Sequence, residues 1–159
     1  MFPAESCFYA IEVKSRTSAS EIRDAIAKAD SLRNIRYLPG AYDSESRPKN
    51  HRITPIIPAF FAFDSDLHKT GKSELERYQE LDSNFRNKPS LVAICVVGRG
   101  YWYYRAIDKK WIYNPPTPDH DEVVDFLSGV INTIPDAMAS RGHPRLGNYL
   151  MLPRNNKVE

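Results

Sequence analysis

Cys7-Phe8-Tyr9-Ala10-Ile11-Glu12-Val13-Lys14, continuing as Ser15-Arg16-Thr17-Ser18-Ala19-Ser20-Glu21, is the stretch on which the reading of this chain turns. Its first eight residues are apolar, β-branched or aromatic until the last few positions, the pattern of a strand buried on both faces and hence central in its sheet. Ser18 and Glu21 have the spacing of a capping box, in which a hydroxyl accepts from the third backbone N–H and a carboxylate reaches back. Ile22, Ala25, Ile26, Ala29 and Leu32 then recur at helical spacing, which predicts a helix over 18–34.

Further along, residues 38–54 mix Pro39, Gly40, Ser44, Ser46 and Pro48 with charges and no period, the composition of a loop. Residues 56–63 read as a second buried strand whose Pro58 points to an irregular or peripheral first half. Leu75, Tyr78 and Leu81 predict a helix over 72–85, and 91–97 is a third apolar strand. Gly98-Arg99-Gly100 turns the chain into a hairpin, 101–105 returning through Asp108-Lys109-Lys110 to 111–113. After Pro115, Pro116 and Pro118, the acids Asp119, Asp121 and Glu122 crowd a helix start, where the dipole favours anions. Val123, Phe126, Leu127, Val130, Ile131 and Ile134 continue that helix, with Pro135 or Gly142 as its expected end. Strand, helix, strand, helix, strand, hairpin, helix is the order of an α/β fold with a mixed sheet, and a right-handed crossover makes the first two strands adjacent and parallel.

With 159 residues the chain is expected to be one domain, its core at about 5–136 and a tail at about 141–159. At 42% hydrophobic and 26% charged residues it should fold, and a net charge of +2 does not by itself announce a nucleic-acid partner. No apolar stretch approaches the ~20 residues that span a bilayer, and Met1 leads into Pro3 and Glu5, so a cytoplasmic protein without a membrane partner is expected. Cys7 and Cys95 lie in apolar runs without ligand spacing, as free thiols do.

Glu12 and Lys14 stand two apart on a strand and so project from one face. A carboxylate there offers oxygen to a hard cation, and a neighbouring ammonium can steady charge on a phosphate, which is phosphodiester chemistry. Nine glutamates and nine lysines in 159 residues yield about 0.5 such tripeptides by chance, so the surrounding context must discriminate.

The context resembles the PD-(D/E)xK superfamily, the restriction-endonuclease-like nucleases, where this tripeptide ends a buried strand that leads into a helix. Residues 8–16, the helix after Ser18 and Ala59-Phe60-Phe61-Ala62-Phe63-Asp64-Ser65-Asp66-Leu67 are similar to an uncharacterised bacterial and phage family of that fold, over roughly residues 5–68. The resemblance implies a restriction-endonuclease-like core with an added hairpin and C-terminal helix. It also implies Glu12 as the second acid, the Val13 carbonyl as a further metal ligand, Lys14 as the catalytic lysine and magnesium or manganese as the cofactor. Members of the family carry an aspartate on a preceding strand, whereas eleven residues precede Glu12 here and Glu5 is the sole acid among them, so the first acid is expected to be missing.

Asp64 and Asp66, at the carboxyl end of the next strand, are the substitutes the reading offers as metal ligands, with a turn cap as the competing role for either. Glu21 could also face the site, although its capping position accounts for it, and His51, His68, His120 and His143 show no ligand spacing. Arg16, Arg99, Arg105, Lys109 and Lys110 are candidate phosphate contacts, with Tyr101 to Tyr104, Trp111 and Tyr113 read first as cross-strand packing. Arg141, Arg145, Arg154 and Lys157 read as a solvated tail. A reduced or vestigial nuclease, active on or bound to nucleic acid, is one expectation. A non-catalytic module that binds a protein, such as a regulator or phage-encoded inhibitor of a defence system, is the other. The edge left by the absent strand calls for cover, from within the chain or from a second copy in a homodimer.

Overall fold

A computed structural model describes residues 6–33, 56–67 and 71–141. The loop expected at 38–54, His51, His68, His143 and the basic segment after Arg141 lie outside the described residues. The elements run β1 (Tyr9–Lys14), α1 (Ala19–Leu32), β2 (Ile57–Ala62), α2 (Glu74–Leu81), β3 (Ala93–Val96), β4 (Gly100–Arg105), β5 (Lys110–Asn114) and α3 (Asp121–Arg141). They form a mixed five-stranded sheet in the order β1-β2-β3-β4-β5, with β1, β2 and β3 parallel and the β4–β5 hairpin antiparallel.

Strand order advances in one direction through both parallel crossovers, so crossovers of one hand put α1 and α2 on the same face. Ile22, Ala25 and Ala29 of α1 and Tyr78 of α2 accordingly share a core with Phe60, Ala62, Ile94, Val96 and Trp102. Alternation along the strands sends the neighbouring residues the other way, and Ala59, Phe61, Ala93, Cys95, Tyr101 and Tyr103 pack beneath Phe126, Val123 and Val130 of α3.

In two places the structure corrects the sequence reading. β1 is an edge strand, not a central one: among the described residues it pairs with β2 alone, and its Ile11 and Val13 are exposed. Neither β3 nor the hairpin covers its outer edge, because β3 pairs with β2 and the hairpin follows β3 outward. The second helix ends at Leu81, since Asp82 leaves helical geometry and turns its carboxylate into a cap that accepts from Asn84 N, Ser90 N and the Tyr78 hydroxyl. Its start is set by a complete capping box between Ser73 and Glu76. Of the two ends expected for α3, the later one agrees with its extent: the helix runs through Pro135 to Arg141 although an interior proline costs about 3 kcal/mol. Phe126 before the proline and Ala137 after it are both buried and hold the two halves to the protein.

The turn from β3 to β4 takes Gly98 at φ +70° and Gly100 at φ +130°. At Gly100 a Cβ would stand 2.5 Å from Tyr113 Cε2 and 2.9 Å from the Asn114 carbonyl oxygen, so only glycine fits. Gly100→Ala is expected to destabilise the fold by about 1–3 kcal/mol, read as a lower urea midpoint at unchanged slope; an unchanged midpoint would mean that β5 yields freely at this position.

Candidate functional site

Lys14, Ala62 and Val96 are in register across the three parallel strands, and Gly100 opens β4 beside them, so the carboxyl ends of β1, β2 and β3 share one edge of the sheet. Glu12 lies one row in, opposite fully buried Phe60. Both charged side chains fall on the α1 face, where α1 lies over β1.

There the Lys14 ammonium sits 3.1 Å from Glu12 Oε1 and 2.5 Å from Glu21 Oε2. Lys28, one helical turn beyond Asp24 on α1, places its ammonium 2.8 Å from the same Glu12 oxygen and 3.1 Å from Asp24 Oδ2. Glu21, Lys14, Glu12, Lys28 and Asp24 thus form an alternating chain of charge. Hydrogen bonding to Lys28, then to Lys14, holds the Glu12 carboxyl below its ordinary value against the opposing effect of burial. Bonds to Glu21 and then Glu12 push the Lys14 ammonium up. A cavity of about 120 Å³ opens beside Glu12, walled by Ala10, Ala25, Ala29 and Leu91. At ~30 Å³ per water it has room for about four.

Glu21 departs from the role its spacing suggests. Ser18 does accept from the Glu21 backbone N–H at 3.3 Å, but the Glu21 carboxylate is turned to Lys14. The sequence does not single out Lys28, because its place beside Glu12 follows only from docking α1 across β1; the Asp24–Lys28 spacing is the one local signal.

Because Glu12 carries a depressed pKa, its pairing stabilises the fold above the ordinary glutamate pKa, and that contribution is lost as pH falls through the lower folded value. Lys28→Met should move the Glu12 midpoint upward in a carbon-detected NMR titration with little change in stability, as for exposed pairs generally. A midpoint that stays in place would remove Lys28 from the account.

Asp64 and Asp66 lie at the same edge, and each is engaged with a cation. Asp64 Oδ2 is 3.8 Å from Arg16 Nε, and Asp66 pairs with Arg77 of α2. Their backbones extend the β1–β2 pairing, Thr17 N donating to Asp64 O and Asp66 N to Thr17 O. Among the described residues no three acids, histidines or cysteines come together as a metal-binding group. The Val13 carbonyl projects from the outer edge of β1, since the carbonyls of Phe8 and Lys14, in the alternate register, accept from β2.

The candidate phosphate-binding cations divide between the two ends of the sheet. Arg16 and Arg99 are at the Lys14 edge. Arg99 donates to the carbonyls of Leu67 and Lys72 and borders an open hollow of about 490 Å³ with Lys72, Ser73, Trp102 and Tyr113. Arg105, Lys109 and Lys110 sit at the β4–β5 turn, the opposite end, where Arg105 is paired with Asp108. The hairpin aromatics pack across strands as expected, Trp102 stacking on Tyr113 at 5.0 Å and Tyr104 lying 5.7 Å from Trp111, which also stacks on Phe85, beyond α2, at 5.4 Å.

No protein-family model matches the sequence, and no curated protein does. Solved structures of NucC share its fold. The apo form of NucC from E. coli MS115-1 superposes with a TM-score of 0.64 at 22% identity, covering 94% of this chain and 65% of that one. Its cAAA-bound form aligns at 0.61 with 23% identity over 94% and 60% of the two chains. NucC from P. aeruginosa ATCC27853, also bound to cAAA, aligns at 0.61 with 19% identity over 93% and 60%. The chain therefore spans less than two thirds of each of these proteins. The fold these structures share is an α/β mixed sheet, with three helices among the described residues of this chain. None of these helices is long and apolar enough to cross a membrane.

Proposed function

We propose that the chain is a nuclease-fold protein with a reduced phosphodiester site centred on Glu12 and Lys14, dependent on magnesium or manganese, that acts on or binds nucleic acid in defence against phage. The observation that carries this reading is the Glu12–Lys14 contact of 3.1 Å at the carboxyl end of β1, in a fold shared with NucC. Open α/β sheets gather ligands at that end.

A hard cation would be held here by oxygen. Both ammonium contacts of Glu12 fall on Oε1, so Oε2 and the Val13 carbonyl are the oxygens to offer, and the adjoining cavity has room for the waters magnesium retains. Asp64 and Asp66 would join the set on release from Arg16 and Arg77. When bound, such an ion would polarise a phosphoryl oxygen and lower the pKa of a water. Lys14, kept charged by Glu21 and Glu12, would steady the negative charge of the scissile phosphate, while Arg16 and Arg99 hold the backbone on either side.

A second reading, a scaffold that binds a partner without cleaving, draws on the same pairs: Glu12 is already neutralised by two ammoniums, and no three-acid group stands beside it among the described residues. Cleavage assays on single- and double-stranded DNA and RNA separate the two. Weak magnesium- or manganese-dependent cleavage, lowered at least about 100-fold by Glu12→Ala and by Lys14→Ala, is expected of the reduced site. Cleavage untouched by both substitutions would place the chemistry elsewhere, and its absence from the wild type would favour the binding module.

A further inference from the structure

Among the described residues, α1 and α2 share one face of the sheet and α3 alone lies on the other, covering only part of it. At 100° per residue, Phe126, Val130 and Ala137 point to the core, while Val124, Leu127, Ile131, Ile134 and Met138 occupy an arc about a quarter-turn round. Val124, Leu127, Ile131 and Met138 are exposed. The opposite flank of α3 is tied to the hairpin side, where Glu122 accepts from Gly98 N and Asp125 accepts from the Asn114 amide. The apolar flank therefore faces β2 and β1. There the sheet is bare as well, with Ile11, Val13 and Phe63 exposed. Phe61 links the two regions, 5.6 Å from Phe126 and 5.1 Å from Phe63 between ring centroids.

We propose that this surface is the interface with a second copy of the chain, the two α3 helices lying antiparallel in one layer between the two sheets. In that arrangement each α3 rests on its own sheet through Phe126 and Val130, meets its mate through the 124/127/131/134/138 flank and caps the bare Ile11, Val13 and Phe63 of the partner sheet. Two observations select a copy over another occupant. The intervals 3, 4, 3, 4 along the stripe are the knobs-into-holes spacing of two helices crossing at a shallow angle, and an antiparallel stripe of this kind is complementary to itself. The area is also of the right size. Seven residues expose between 39% and 64% of their surface, which at roughly 150–200 Å² per large side chain makes about 600–700 Å². That lies at the upper end of the ~300–600 Å² of the largest patch on a monomer and approaches the ~800 Å² each partner gives to a standard interface. This contact is distinct from strand pairing along the β1 edge, which would leave the α3 stripe bare.

Register makes the test specific. Ile131 is the midpoint of the stripe from Val124 to Met138, so on a two-fold axis it meets its own copy, within the ~4.4–6.8 Å Cα separation of a disulfide. In a Cys7→Ser background, with Cys95 buried, Ile131→Cys is expected to cross-link to itself under mild oxidation. Val124→Cys alone should not, but should do so when mixed with Met138→Cys. Light scattering at tens of micromolar should give twice the 18.2 kDa of the chain, falling to 18.2 kDa in Leu127→Glu/Ile131→Glu with the far-ultraviolet circular dichroism unchanged. Ile107→Glu, at an exposed residue of the β4–β5 turn, should leave the dimer mass intact. A wild-type monomer, a trimer, or a dimer that survives the double glutamate variant would overturn the proposal. So would Val124→Cys pairing with itself while Ile131→Cys does not.

Discussion

Glu74→Ala is expected to cost about 3–5 kcal/mol of folding stability, the scale of leaving a buried charge without its partner. Glu74 is completely buried at the first position of α2, accepts from the Ser65 hydroxyl and lies 3.6 Å from Arg77 Nε and 3.9 Å from Arg99 Nε. Arg77 is itself almost fully buried, and with Glu74 gone only Asp66 would balance it. The carboxylate thus joins the segment after β2, the start of α2 and the β3–β4 turn, all at the edge that carries Lys14. Glu74→Gln, which keeps an acceptor for Ser65, should cost less than the alanine change. Glu74→Leu combined with Arg77→Met should cost less again, because the pair leaves together and apolar groups of similar size replace it. Urea unfolding of the three variants would show this order, and a single alanine variant within 1 kcal/mol of wild type would contradict it.

Phe60→Ala should be of similar size, about 3–5 kcal/mol, for a different reason. Phe60 is fully buried in the middle of β2, beneath α1, and its removal takes out both transfer free energy and packing. It is also the cross-strand neighbour of Glu12, so the void would open against the site. Phe60→Leu, which fills most of the space, should retain most of the stability and leave the Glu12 midpoint in the NMR titration unchanged. Equal losses for leucine and alanine would mean that the ring is held by more than its volume.

These effects bear on how much of the molecule could be read from its sequence. β1, α1, β2 and the hairpin were legible because each has a local signature: an apolar β-rich run, the Ser18 cap followed by i, i+3, i+4 spacing, glycines at a turn. The parallel pairing of β1 and β2 followed from the length of the connection. What the sequence could not convey was which side of β1 is covered. An apolar strand reads as central whether its second face meets a helix or solvent, and Ile11 and Val13 prove to be exposed. For α3 the sequence left two ends open, Pro135 and Gly142, and the helix passes the first because its local penalty is outweighed by burial of Phe126 and Ala137 on either side. At the site, Glu12 and Lys14 were legible from spacing of two on a strand; Glu21 was legible only as the lesser of two roles, and Lys28 not at all. Their roles depend on the rotation of α1 over β1, which tertiary packing decides.

The central claim is that Glu12 and Lys14 form a cation-dependent phosphodiester site, and calorimetric titration of magnesium or manganese into the chain tests it most directly. The account predicts one weak site, with Kd on the order of 1 mM given so few ligands, whose heat disappears in Glu12→Ala. Binding that Glu12→Ala leaves unchanged, or no binding to the wild-type chain at millimolar cation, would contradict it.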